Sequence, residues 1–189
     1  MNWIKIHWLE LLAYLAVFVL LVWLIWDYFS GNLGVNPIEQ VEIRSGKYTL
    51  NFLVATLACS PLYRVSGYAP VLCVRRILGF STLGLASLHL MAFVGLDYHF
   101  DFGLLWADIG SKRFVLIGFS AFVVLLILSV TSTKGWKQRL GRNWKNLQRL
   151  IYLAAILAAV HFIWQTKLDF RLPIIYSGVI VVLLLLRLV

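Results

Sequence analysis

The chain reads as an all-α protein: a polytopic membrane helix bundle of six transmembrane helices with both termini cytoplasmic. Three observations predict this. The composition is 61% hydrophobic, against roughly 45–50% for a soluble domain, and mean hydropathy is +0.86. Six apolar stretches occur, each near the roughly 20 residues that cross a bilayer. Basic residues crowd into alternate connections between them. At 189 residues, the chain is expected to form a single domain over positions 1–189, with the bundle interior as its core.

The expected spans are Trp8–Phe29, Tyr48–Tyr63, Ile77–Leu96, Phe114–Val130, Leu147–Trp164 and Leu172–Leu186. The first has too long an apolar run for a secretory leader and lacks a small-x-small cleavage site after it, so it reads as a retained helix. The second is short and flecked with polar residues. Short loops predict antiparallel neighbours. The first outer loop, SGNLGVNPIEQVEIRSGK, carries Gly and Asn-Pro turn signals. The connection after the third span mixes Asp97, Asp101 and Asp108 with Tyr98, Phe102 and Trp106. It suits an aromatic belt at the interface, or a surface that receives a partner. Small residues line the third span (Gly79, Ser81, Gly84, Ser87) and the fifth (Ala154, Ala155, Ala158, Ala159). Such faces let membrane helices approach closely, and they also leave room for a flat ring.

Lys and Arg placement sets the orientation. With the N-terminus inside, eleven of the seventeen basic residues fall on the cytoplasmic side, and seven of the eight acidic ones fall outside. The inside then nets +10 and the outside −1. The basic run from Lys134 to Arg149 is an inside loop under this topology, and no nucleic-acid partner is needed to explain it. Cys59 and Cys73 flank the first cytoplasmic loop, where thiols stay reduced. Two lone cysteines make no metal motif.

Two histidines stand inside apolar spans: His89 in GFSTLGLASLHLMAF and His161 in LIYLAAILAAVHFIW. An ionisable side chain in lipid is costly and marks a functional site by default. His89 precedes Asp97 by eight residues, about 12 Å of helix rise. His161 precedes Lys167 by six, about 9 Å by the same rise. Both spans run from inside to outside, so the imidazoles are expected in one layer of the outer leaflet. The ordinary use of each is a hydrogen bond to backbone or hydroxyl, with Ser87 or Thr82 at hand for His89. The matched pair suits the two axial positions of one haem iron, which already has four porphyrin nitrogens. Zinc fits less well, because it takes three or four protein ligands. His7 and His99 lie at the edges of the membrane and read as solvated or interfacial.

Four segments then resemble one known family. They are NLGVNPIEQ, LNFLVATLACSPLYR, RRILGFSTLGLASLHL and LSVTSTKGWKQRLGRNWKNLQRLIYLAAILAAVHFIW. In this order and spacing they resemble the MsrQ (YedZ) family, and more distantly the transmembrane part of ferric reductases and NADPH oxidases. The resemblance implies a b-type haem protein of the bacterial cell inner membrane. It implies electron transfer from the quinone pool to a periplasmic molybdopterin partner, MsrP, which reduces methionine sulfoxide in oxidised periplasmic proteins. It also implies FMN as a second cofactor. By position, His89 and His161 match the third-helix and fifth-helix histidines of the family.

One position departs from the pattern. Family members often carry a further Leu-His histidine near the start of the fifth helix, where this chain reads Leu147-Gln148-Arg149. Gln148 lies thirteen residues before His161, about 20 Å of rise, and an amide is a poor iron ligand beside His, Met, Cys or Tyr. One haem is therefore expected. Arg75 and Arg76, at the inner start of the third span, suit an FMN phosphate or a quinone headgroup, or simply the positive-inside rule.

The expected role is electron donation, with catalysis on the sulfoxide left to the partner. The alternative is a ferric-reductase-like subunit fed by a separate cytoplasmic NAD(P)H reductase, since no G-x-G-x-x-G follows a strand here. A small transporter is a third class. The chain lacks the paired interrupted helices of the transporter kind.

Overall fold

A computed structural model describes residues Trp3–Leu188, the side chains of Trp3 to His7 and of Leu188 excepted. Lys5 and His7 thus lie outside the described side chains. The chain divides into two compact units at Leu105 and Trp106. No strand occurs among the described residues.

The first unit begins with α1 (Trp3–Phe29), a helix apolar on all sides. Its large side chains, Leu11, Phe18, Trp23 and Trp26 among them, are more than half exposed. Apolar surface on this scale needs lipid or a partner to cover it. At its end, the Asp27 carboxylate accepts hydrogen bonds from Trp23 Nε1 (2.9 Å) and Asn32 Nδ2 (3.4 Å) and pairs with the Arg44 guanidinium. A buried acid beside an apolar helix is tolerable only with such partners.

α2 (Pro37–Ser66) starts eleven residues before the expected span at Tyr48. The Asn-Pro pair explains the early start. Asn36 caps the helix through Oδ1 and the Glu39 N–H (3.4 Å), and Pro37 supplies a first residue with no N–H to satisfy. The second half of the predicted loop is therefore helical. Gly67, at φ 65°, ends α2 in the left-handed cap that glycine adopts without strain. α3 (Pro70–Ala92) opens on another proline and runs into a single π-helical turn, Phe93–Asp97. The chain then turns sharply, with His99 and Phe100 both at positive φ. Tyr98 is buried there, its ring centroid 5.1 Å from that of Phe93. α2 packs along α3, and α1 lies against both. Leu53, Leu57, Leu85 and Thr82 form the tightest part of this unit. The short α4 (Phe102–Ile109) leads to the second unit.

α5 (Arg113–Val130) packs along α8 (Ile151–Gln165), which also meets α9 (Arg171–Leu188). Between α5 and α8 lie α6 (Lys134–Leu140), stopped by Gly141 at φ 49°, and α7 (Asn143–Gln148). The expected fifth span, Leu147–Trp164, is thus not one unbroken helix: a turn at Arg149 and Leu150 separates α7 from α8. The turn lets α7 serve the end of α5. Trp144 Nε1 donates to Thr131 O at 2.9 Å. Gln148 Nε2 donates to Leu128 O and Thr131 Oγ1, each at 3.2 Å. The last carbonyls of a helix have no partner within it, and in lipid each must find one.

Four stretches are long and apolar enough to cross a membrane: Trp8–Phe29, Pro70–Asp97, Arg113–Val130 and Asn143–Gln165. They coincide with the expected first, third, fourth and fifth spans. The expected second and sixth fall on α2 and α9, which are not among the four. The first half of α2 carries Glu39, Glu42, Arg44 and Lys47. On α8, Ala154 and Ala155 have no exposed surface, so the small-residue face is a packing surface. Ala155→Leu is expected to cost about 1–3 kcal/mol by overpacking, and Leu153→Ala, at an exposed site, much less. Thermal unfolding of the detergent-solubilised protein measures both.

Candidate metal-ligand histidines

His89 stands on α3, half-buried, beside α2. Its Nδ1 lies 3.2 Å from Ser45 Oγ. Ser45 is 4% exposed, and its hydroxyl donates to Glu42 O at 3.0 Å. A serine has one hydroxyl proton. With that proton directed to Glu42, the oxygen faces His89 as an acceptor, and Nδ1 carries the hydrogen. The ring lies over Gly46, where an added Cβ would come within 3.3 Å of it.

His161 repeats the arrangement in the second unit. It stands on α8, and its Nδ1 lies 2.8 Å from Phe114 O on α5. A carbonyl only accepts, so here too Nδ1 is the protonated nitrogen. The ring lies over Gly118, where an added Cβ would come within 2.7 Å of two ring atoms. That approach is closer than any side chain tolerates.

Each unit therefore presents one imidazole in the same way. The neighbouring helix supplies an oxygen for Nδ1–H and a glycine for the ring to rest on. The partner fixes the tautomer, so the lone pair sits on Nε2. This is the arrangement by which proteins orient histidine ligands to metals and raise their basicity. It fits an axial haem ligand. Among the described residues, no three His, Cys, Asp or Glu side chains group closely enough to hold a bare metal ion.

The hydroxyls expected near His89 are used otherwise. Thr82 donates to Leu78 O and Ser87 to Leu83 O, each within its own helix. The partner is Ser45, 44 residues away in sequence, and the partner of His161 is 47 residues away. No local pattern could have found either one. Gly118 gave a faint signal, being a glycine in an apolar helix where alanine would be the better helix former, whereas Gly46 fell in the expected outer loop, where glycine is ordinary.

Arg75 and Arg76 have different partners. Arg75 donates to Ser60 Oγ on α2 at 3.3 Å. Arg76 lies over the ring of Phe80, one turn along its own helix, at 5.6 Å. Gln148, doubtful as a ligand from its chemistry, spends its amide on the end of α5. Cys59 is buried, Cys73 exposed, and neither is in a disulfide. His99 is exposed in the sharp turn after the π-helical segment.

Comparison with known proteins bears on the same residues. Residues 45–159 match the family model described as the ferric reductase like transmembrane component. The match takes in Ser45 and His89 and stops two residues short of His161. A Xanthomonas euvesicatoria pv. vesicatoria protein is 40% identical over 91% of this chain and 80% of its own length. A Caulobacter vibrioides protein is 40% identical over 93% and 84%. A Rhodospirillum rubrum protein is 39% identical over 94% and 88%. Each is named "Protein-methionine-sulfoxide reductase heme-binding subunit MsrQ". The chain belongs to the MsrQ family. No solved structure matches it. The likeness to these MsrQ proteins extends over α1 and α9 as well as the helices that bear the histidines.

The contact at Gly118 yields a test. Gly118→Ala is expected to push the His161 ring off α5, break the 2.8 Å bond to Phe114 O and destabilise the protein by about 1–3 kcal/mol. Gly84→Ala, which meets open space, should be neutral or slightly stabilising. Thermal unfolding of the two variants side by side checks the difference.

Proposed function

We propose that the chain is the haem-binding, electron-donating subunit of a protein-methionine-sulfoxide reductase system. The observation that carries it is the likeness, over nearly the whole chain, to MsrQ proteins named as the heme-binding subunit. The paired histidines support it: each has Nδ1 hydrogen-bonded and Nε2 as its coordinating nitrogen.

In this reading the whole chain is one ferric-reductase-like haem domain, with six spans and both termini cytoplasmic, in the bacterial inner membrane. α2 and α9 supply the second and sixth spans. His89 and His161 hold one b-type haem, which supplies reversible one-electron storage between two-electron partners. Ser45 and the Phe114 carbonyl engage each Nδ1, which leaves Nε2 as the nitrogen to meet the iron. The apolar α5 and α8 shield the His161 imidazole from water. Electrons arrive from the quinone pool, as befits a membrane-soluble donor. They leave at the periplasmic face to a molybdopterin partner, MsrP, with which the chain forms a heterodimer and which carries out sulfoxide reduction.

FMN belongs to the proposal only as a second cofactor of the family. Arg75 and Arg76 carry the right charge for its phosphate, or for a quinone headgroup. As placed, their guanidiniums point to different partners, and no step is drawn through a flavin. The ferric-reductase match favours a second reading, in which a separate cytoplasmic NAD(P)H reductase supplies the electrons. Reduction of the purified protein by a quinol, against reduction by NAD(P)H with its reductase, separates the two.

The haem assignment is tested by absorption spectroscopy and haem stoichiometry. The protein should show a Soret band and reducible b-type peaks at one haem per chain. His89→Ala and His161→Ala should each abolish them, and Gln148→Ala should spare them. Full haem retention in His89→Ala would overturn the pairing, and two haems per chain would overturn the view of Gln148.

A further inference from the structure

The two imidazoles are held by oxygens of different kinds. On the His161 side the acceptor is the main-chain carbonyl of Phe114, which no side-chain substitution removes. On the His89 side it is the hydroxyl of Ser45. That hydroxyl is buried on α2 and passes its own proton to Glu42 O. We propose that Ser45 is a positioning residue for His89, fixing its tautomer and setting how strongly its Nε2 donates to a haem iron. The proposal rests on the axial-ligand reading above.

The chain of bonds runs one way. Glu42 O accepts from Ser45, and Ser45 accepts from His89 Nδ1. A proton drawn toward an acceptor leaves the imidazole richer in electrons at Nε2. A richer ligand favours the ferric over the ferrous state, and so holds the potential down. Remove the hydroxyl and the ring has lost both its orientation and this polarisation. Outer partners of this kind are worth roughly ten- to a hundredfold in metal affinity when removed. The neighbouring Gly46 lets the ring come down onto α2 to reach Ser45: a Cβ there would sit 3.3 Å from it. Ser87 makes a natural control. It lies on α3, two residues from His89, and its hydroxyl serves Leu83 O instead.

The test compares Ser45→Ala, Ser45→Thr and Ser87→Ala in the full-length, haem-loaded protein. Haem release to a scavenging apoprotein and a redox titration followed in the visible band are both measured. Ser45→Ala should release haem roughly ten- to a hundredfold more readily and shift the midpoint potential upward. Ser45→Thr, which keeps the hydroxyl, should restore both toward the unsubstituted values, and Ser87→Ala should change neither. Haem that is lost on His89→Ala yet indifferent to Ser45→Ala overturns this inference and leaves the axial-ligand reading intact. So does a Ser45→Thr protein that behaves like Ser45→Ala. A haem-free unsubstituted protein overturns the axial-ligand reading and this inference with it.

Discussion

Every polar group in this protein's apolar helices must find its partner inside the protein, because lipid offers none. That constraint organises what is seen. Asp27 gathers Arg44, Trp23 and Asn32. The end of α5 gathers Trp144 and Gln148. Threonines and serines fold their hydroxyls back onto the carbonyl one turn earlier, as Thr56, Thr82 and Ser87 do. The two imidazoles reach across to another helix, and the glycines beneath them make that reach possible.

Much of the fold was legible in the sequence because the membrane imposes a coarse code. Apart from the fifth, which a turn at Arg149 and Leu150 breaks, each expected span falls on continuous helix, and α3 with its π turn ends where charge returns, at Asp97. The histidines stood out because an imidazole among Leu, Ala and Ile has no solvent to explain it. What the sequence hid was set by capping and by long-range pairing. α2 extends into the presumed loop because Asn36 and Pro37 start a helix as readily as they make a turn. The break at Arg149 and Leu150 carries no Gly or Pro and follows from what α7 does for α5. Ser45 has no local mark at all and Gly118 only a faint one, since their roles exist only once helices pack.

Gln148 shows both levels at once. Its chemistry alone argued against iron. Its place explains why an amide is useful there: it offers two N–H groups where Leu128 O and Thr131 Oγ1 converge. Gln148 has a capping task at the end of α5.

The two ends of α5 are both tied to the chain that follows. Near its start, Phe114 O holds His161. At its finish, Leu128 and Thr131 hold Gln148 and Trp144. A helix pair joined by apolar contacts alone can slide, since one oily register resembles the next. Here a slip of α7 and α8 together by a single residue, about 1.5 Å, would strain the ties at both ends of α5. The height of His161 along α5 is thereby indexed, as a ruler pinned at both ends is indexed, and an electron carrier seated on it would keep a constant distance to whatever waits at the membrane surface.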